Sequence, residues 1–240
     1  MRTSIWLGWD PREAAAYAVA RASARNFMRG DIPIRGIVLE RLRGLGLYRR
    51  KSEIRDGYDG HRVLWDTISG APMATQHAIA RFFVPILARS GWALFCDGDV
   101  LFRRAPEDLF DGLDPGKALY CVHHRHVPPA EQKMDGQFQT RYARKNWSSV
   151  MAFNCDHPAN RELTLDLLNT VPGRDLHRFC WLDDSLIGAL DPRWNVLVGE
   201  ENQPPDPFLA HFTSGVPDMP GYADQPWAGE WFGVRDRWIA

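Results

Sequence analysis

Two aspartates separated by a single glycine, Asp97-Gly98-Asp99, interrupt an apolar stretch that runs from Trp92-Ala93-Leu94-Phe95-Cys96 into Val100-Leu101-Phe102. With 21 aspartates in 240 residues, chance alone supplies about two Asp-x-Asp matches, so the setting says more than the motif. Ionised carboxylates between buried strands cost several kcal/mol unless they are partnered. A bound divalent cation would offset that cost. Glycine lets both side chains project the same way from the carboxyl end of a strand, and hard oxygen ligands suit Mn2+ or Mg2+ bridging a phosphate. The competing reading is a turn with two solvated aspartates.

Other residues add to the chemistry. His211 ends the apolar run Phe208-Leu209-Ala210, as a metal ligand or as a capped core histidine. Asp183 and Asp184 follow the apolar lead-in Phe179-Cys180-Trp181, where each is stabilised by a helix N-terminus or one simply caps it. His123, His124 and His126 resemble a metal cluster on paper, but adjacent strand residues point to opposite faces and zinc spacing is lacking. They read as loop or acceptor-site residues. The tryptophans, Trp227, Trp231 and Trp238 among them, read mainly as core or tail anchors, with sugar stacking as the functional alternative.

These groups need a scaffold. Residues 4–8 read as a buried strand, and Asp10-Pro11-Arg12-Glu13 combines an N-cap, a proline at the first helical position and an acid placed for a capping box. A helix over 11–28 and a strand over 34–39 follow. The spacing predicts a helix over 73–89 that carries His77 and Arg81 on one face and is kinked or ended by Pro85. Strands are expected at 92–96, 100–102, 118–122, 150–153, 196–198 and 208–212, with helices near 160–168 and 182–190. Alternating strands and helices in the first half favour a largely parallel sheet covered on both faces.

Twenty-nine basic against 30 acidic side chains, a net charge of -1, argue against a chain that wraps nucleic acid, and 45% hydrophobic content argues against disorder. Charge is nevertheless uneven: residues 41–62 carry seven cations against three acids, and residues 200–240 carry seven acids against two arginines. The first segment reads as a solvated loop, with docking to an anionic partner or membrane surface as the alternative. The second, rich in proline and glycine, reads as a wrap over one domain that spans 1–240. Cys96, Cys121, Cys155 and Cys180 are widely spaced and read as reduced thiols. No apolar run approaches 18 residues and no signal-peptide pattern opens the chain, so a cytoplasmic protein without a transmembrane segment is expected.

Five segments, Ile5-Trp6-Leu7-Gly8-Trp9-Asp10, Ala80-Arg81-Phe82, Phe95-Cys96-Asp97-Gly98-Asp99-Val100-Leu101-Phe102, Leu182-Asp183-Asp184 and His211-Phe212-Thr213-Ser214-Gly215, occur in the order seen in family-eight-like glycosyltransferases of the GT-A fold. The resemblance spans roughly residues 5–215. It implies a GT-A-like α/β domain whose mixed, mostly parallel sheet binds a nucleotide. It places Gly8, Trp9 and Asp10 at the base of a nucleotide-sugar, Arg81 at its phosphates or ribose, and Asp97 and Asp99 with His211 around Mn2+ (Mg2+ being the alternative), with Gly98 between them. Asp183 would contact the donor sugar. Asp184, often an amide in that family, would lie near the reacting carbon. The family often has His-x-x-Gly followed by a phosphate-binding lysine, whereas here Gly215 stands four residues after His211 and no lysine follows. Diphosphate neutralisation is then left to the metal, Arg81, amides near Ser214 and Gly215, or an arginine of 41–62. The implied activity is transfer of a sugar, with retention, from a nucleoside diphosphate, expected to be UDP, to a glycan or other hydroxyl acceptor. The rivals are a non-catalytic nucleotide-sugar or carbohydrate binder and a metal-dependent nucleotide-sugar hydrolase.

Overall fold

The computed structural model describes residues 2–56, 62–73, 75–124, 144 and 146–238. Its strands are β1 (Thr3–Gly8), β2 (Ile34–Ile37), β3 (Ser52–Asp56), β4 (Arg62–Asp66), β5 (Ala71–Pro72), β6 (Trp92–Cys96), β7 (Val100–Phe102), β8 (Leu119–Cys121), β9 (Val150–Asn154), β10 (Ile187–Ala189), β11 (Val196–Leu197) and β12 (Leu209–His211). The α-helices are α1 (Ala14–Phe27), α2 (Leu39–Gly44), α3 (Val84–Ala88), α4 (Glu107–Phe110), α5 (Leu165–Thr170), α6 (Gly173–His177) and α7 (Ala228–Trp238).

Among the described residues the principal sheet runs β10-β8-β9-β6-β1-β2. Its neighbours are parallel except that β9 runs antiparallel to both β6 and β8. The fully apolar β6 is buried on both faces, as its composition demands. Leu94 and Cys96 pack with Ile5, Leu7, Ala20 and Ala24 on the α1 side, while Ala93 and Phe95 pack with Trp6, Phe82, Phe83 and Phe153 on the other. Side chains alternate across a strand, so one five-residue run feeds two cores.

A smaller sheet, β11-β12-β7, stands beside the first, with His211 opposite Val100 in the antiparallel β12–β7 pair. Strand β7 continues the chain after Asp97-Gly98-Asp99, so that loop joins the two sheets. The third sheet, β3-β4-β5, replaces the loop expected over 41–62 together with α2. Three cations of that stretch pair within the chain: Arg50, with a side chain 1% exposed, pairs with Asp66 at 2.6 Å and donates to the carbonyls of Leu168 and Val171. Arg49 pairs with Asp166 and Arg55 with Glu53.

Three expected helices change form. Over 73–89 the chain makes a 3-10 helix, Gln76–Phe83, followed by α3. Pro85 sits in the first turn of α3 rather than ending it, and lacking an N–H it cannot reach the carbonyl of Arg81, which instead accepts from Val84. Over 160–168 a short 3-10 turn precedes α5. Over 182–190 a single turn, Asp184–Leu186, leads into β10, which extends the sheet beside β8. Gly188 packs against the Tyr120 ring so closely that a Cβ would fall 2.2 Å from it. The tail is mostly turns until α7, which packs on α1 and buries Trp231, while Trp238 stays exposed.

Candidate functional site

The loop between β6 and β7 is pinned from two directions. Asp97 N–H donates to the Ser149 carbonyl at 3.0 Å, and Phe212 N–H donates to the Asp99 carbonyl at 3.0 Å. The β12–β7 register therefore sets His211 beside Asp99, although they are far apart in sequence. Gly98 is required by close approach: a Cβ there would lie 2.6 Å from the Gly8 carbonyl at the end of β1.

Asp97, Asp99 and His211 each offer a ligand atom, all within 4.8 Å of one another. His211 Nε2 lies 3.1 Å from Asp99 Oδ1 and 4.0 Å from Asp97 Oδ2. The shorter approach lacks hydrogen-bond alignment, and Asp99 Oδ1 is buried without a hydrogen-bond partner. Donor atoms aimed at a shared point rather than at each other suit a divalent cation, and two carboxylates with one imidazole suit Mn2+ or Mg2+. The residues fit the implied metal.

Burial pushes Asp97 up, and Arg81 offsets this only in part. Burial would also raise Asp99, but His211 beside it outweighs that and holds it below the usual carboxylate range. Burial disfavours charge on His211, yet Asp99 and Asp97 reverse the balance and raise it. Arg81 spans the Asp97 carboxylate and donates to the carbonyls of Ala78 and Ser148, both at 2.8 Å.

A cleft of about 260 Å³ adjoins the cluster and is lined by Gly8, Trp9, Asp10, Arg81, Asp97, Gly98 and Asp99, with Glu13, His77 and Thr213. Seven residues singled out from the sequence thus share one cavity at the carboxyl ends of β1 and β6. Asp10 also caps the turn Pro11–Glu13: it accepts from Arg12 N–H at 2.9 Å, and the Arg12 side chain holds it below the usual range. Glu13 does not close a capping box. It makes no side-chain cap, and burial together with Asp99 pushes its half-buried carboxyl up. Two larger hollows, about 390 and 420 Å³, open near residues 89–92 and 154–158 at the opposite end of the sheet, away from these groups.

Ser214 and Gly215 lie on the turn beyond Thr213 and do not line the cleft. Gly215 has φ 150°, a Cβ there would meet the Tyr222 ring at 2.7 Å, and its carbonyl accepts from Gln225 at 2.9 Å. Asp183 and Asp184 are exposed and do not line the cleft. Asp183 caps its turn by accepting from Ser185 N–H at 2.8 Å, and Asp184 pairs with Arg144. His123 stacks on Trp147 at 4.0 Å, while His124 is pushed down to about 4 by burial and by His211. His126 lies outside the described residues.

Asn195 escaped sequence reasoning. It is fully buried and its Oδ1 lies 2.9 Å from His211 Nδ1. The available signal was a lone amide inside Trp194-Asn195-Val196-Leu197.

Among the described residues no helix is long and apolar enough to cross a membrane, and the four cysteines are free thiols. No protein-family profile matches the chain. Among solved structures it is similar to the galactosyltransferase LgtC in complex with donor and acceptor sugar analogues, with a TM-score of 0.61 at 16% identity over 99% of this chain and 96% of that one. The bifunctional glycosyltransferase WbbM gives 0.59 at 14% identity, covering 97% of this chain and 51% of WbbM. GlyE of Streptococcus pneumoniae TIGR4 gives 0.56 at 14% identity, covering 99% and 63%. The chain thus spans about half of WbbM and under two thirds of GlyE. These likenesses establish a GT-A-like α/β fold, a mixed sheet flanked by helices. With 35% identity over 98% of its length and 86% of the relative's, the chain belongs to the family of Protein CDI of Arabidopsis thaliana.

Proposed function

We propose that this chain is a family-eight-like glycosyltransferase that moves a sugar, with retention, from a UDP-linked donor to a hydroxyl acceptor, using Mn2+ held by Asp97, Asp99 and His211. The observation that carries the reading is the convergence of those ligand atoms within 4.8 Å beside a cleft at the carboxyl ends of parallel strands. The solved LgtC, which shares the fold, carries donor and acceptor sugar analogues. Residues 1–240 are read as one catalytic domain. The free thiols fit a reducing compartment, the cytoplasm.

Bound at the cluster, a divalent cation would supply positive charge to the departing diphosphate, a stabilisation worth about 3 to 4 kcal/mol when preorganised. The chain's own groups do the rest. Arg81 holds Asp97 in place and presents a planar cation to the cleft. Trp9, edge-on to Tyr17 at 4.9 Å, offers a braced ring, and Asp10, fixed by Arg12, offers acceptor oxygens for the base. Ser214 and Gly215 are assigned to the phosphates through the backbone amides of their turn, in which Gly215 N–H donates to the Phe212 carbonyl at 3.0 Å. Asp183 and Asp184 are assigned to the donor sugar and the reacting carbon.

The test is release of UDP and formation of a glycosylated product from a panel of UDP-sugars and hydroxyl acceptors, with and without Mn2+. Acceptor-dependent turnover that requires Mn2+ supports transfer. Binding of UDP with Mn2+ but no release of UDP from any UDP-sugar would make the protein a binder, and fast release with water alone would make it a hydrolase.

A further inference from the structure

His211 is held by a chain of hydrogen bonds in which every proton has a direction. The Ser149 hydroxyl donates to the Asn146 carbonyl at 2.7 Å. Asn195 Nδ2 donates to Ser149 Oγ at 2.9 Å and to the same Asn146 carbonyl at 3.3 Å. A carbonyl can only accept, so the amide edge facing Asn146 must be the NH2 group, and Oδ1 faces His211. Oδ1 can only accept in turn, so the 2.9 Å contact places a proton on His211 Nδ1. Nε2, on the far side of the ring, points toward Asp97 and Asp99. Asn195 is 0% and His211 3% exposed, so water does not compete for these bonds.

We infer that Asn195, anchored by Ser149 and Asn146, is a positioning residue that locks His211 in the Nδ1–H tautomer and so aims the Nε2 lone pair at the point shared by the two aspartates. The inference rests on the metal reading above for its purpose, but the tautomer lock belongs to the chain alone. Free imidazole prefers the proton on Nε2, which would block the ligand atom, and partners of this kind are worth about 10- to 100-fold in metal affinity.

The experiment pairs long-range 1H–15N NMR of histidine rings in metal-free protein, at alkaline pH where His211 is neutral, with titration of free Mn2+ followed by electron paramagnetic resonance. Unmodified protein should show His211 protonated on Nδ1. Asn195→Leu should move the proton to Nε2 or mix the tautomers, and weaken Mn2+ about 10- to 100-fold. Asn195→Asp keeps an acceptor for Nδ1–H and should keep the tautomer, with its fold checked by Tm because the oxygen it turns toward the Asn146 carbonyl lacks the proton the amide supplied. If Asn195→Leu does not fold, Asn195→Val, which also removes the acceptor for Nδ1–H, takes its place with the same expected result. A His211 protonated on Nε2 in unmodified protein would overturn the lock, as would unchanged tautomer and unchanged Mn2+ affinity in Asn195→Leu or Asn195→Val. An Nδ1–H ring that responds to these substitutions in a protein with no affinity for Mn2+ supports the lock and overturns the metal reading instead.

Discussion

The Arg81 guanidinium spans both oxygens of Asp97, with Nη2 2.9 Å from Oδ1 and Nη1 3.2 Å from Oδ2. The side chains are 13% and 24% exposed, so solvent screens the pair only partly. Arg81→Ala leaves a largely buried carboxylate without its main counter-charge and should cost about 2 to 3 kcal/mol, less than for a fully buried pair. Arg81→Lys, which keeps charge but loses the fork, should cost less and weaken UDP less. If Asp97 is a metal ligand, Mn2+ restores a counter-charge, so the Tm penalty of Arg81→Ala should shrink when the ion is added. An equal penalty with and without Mn2+ would show that Asp97 does not meet it.

Asp99 offers the cleanest test of the shared cation. Its carbonyl is bound by Phe212 N–H, so Asp99→Asn keeps the backbone anchor while removing the charge that faces His211. Mn2+-dependent UDP affinity should be lost with the fold intact. In unmodified protein, UDP with Mn2+ at 100 times its Kd should add about 2.7 kcal/mol of stability, a shift that Asp99→Asn should lack. A full shift in the variant would remove Asp99 from the metal.

The strands around the site were legible because buried strands are nearly continuous apolar runs, as in Trp92–Cys96 and Val150–Asn154. The cluster was legible because its acids interrupt such a run. Residues 182–190 were not, since Leu182, Leu186 and Leu190 fall at helical spacing while Gly188 against Tyr120 and pairing with β8 decide for a strand. Asn195 was illegible for another reason. Its meaning lies in contacts 16 residues ahead and 49 behind, which local pattern does not encode. Glu13 misled because its spacing fits a capping box, whereas its carboxyl lines the cleft.

Asp184 separates a chemical from a structural role. Its side chain is 81% exposed and pairs with Arg144, an exposed contact of the kind worth about 0 to 1 kcal/mol. Asp184→Asn should therefore leave Tm and UDP affinity nearly unchanged. If the residue works near the reacting carbon, kcat should fall at least tenfold, whereas a surface ion pair would leave turnover per folded molecule unaltered. Asp183→Ala should raise the donor KM more than it weakens UDP alone. Near-normal kcat and KM in both variants would take the pair out of the active site.

His177 should set part of the acid sensitivity of the fold. Its Nδ1 lies 2.7 Å from Ser148 Oγ and its ring meets Phe82 edge-on at 5.1 Å. Burial, reinforced by the positive charge of Arg81, pushes its pKa down to about 3. An unfolded histidine titrates near about 6.5, so between these values the unfolded chain binds a proton that the folded chain refuses. Stability is therefore fully present above about pH 6.5 and is lost as pH falls toward about 3, by at most about 1.4 kcal/mol per unit. His124, pushed down to about 4, acts with the same sign over a narrower window. His177→Gln keeps a hydrogen-bonding group for Ser148 and does not titrate. Urea midpoints measured from about pH 7 to about pH 4.5 should fall less steeply for His177→Gln than for unmodified protein, the gap reaching about 1 to 2 kcal/mol at the acid end. Parallel curves would mean that His177 accepts a proton in the folded protein as readily as in the unfolded one, and that its burial beside Arg81 does not exclude the charge.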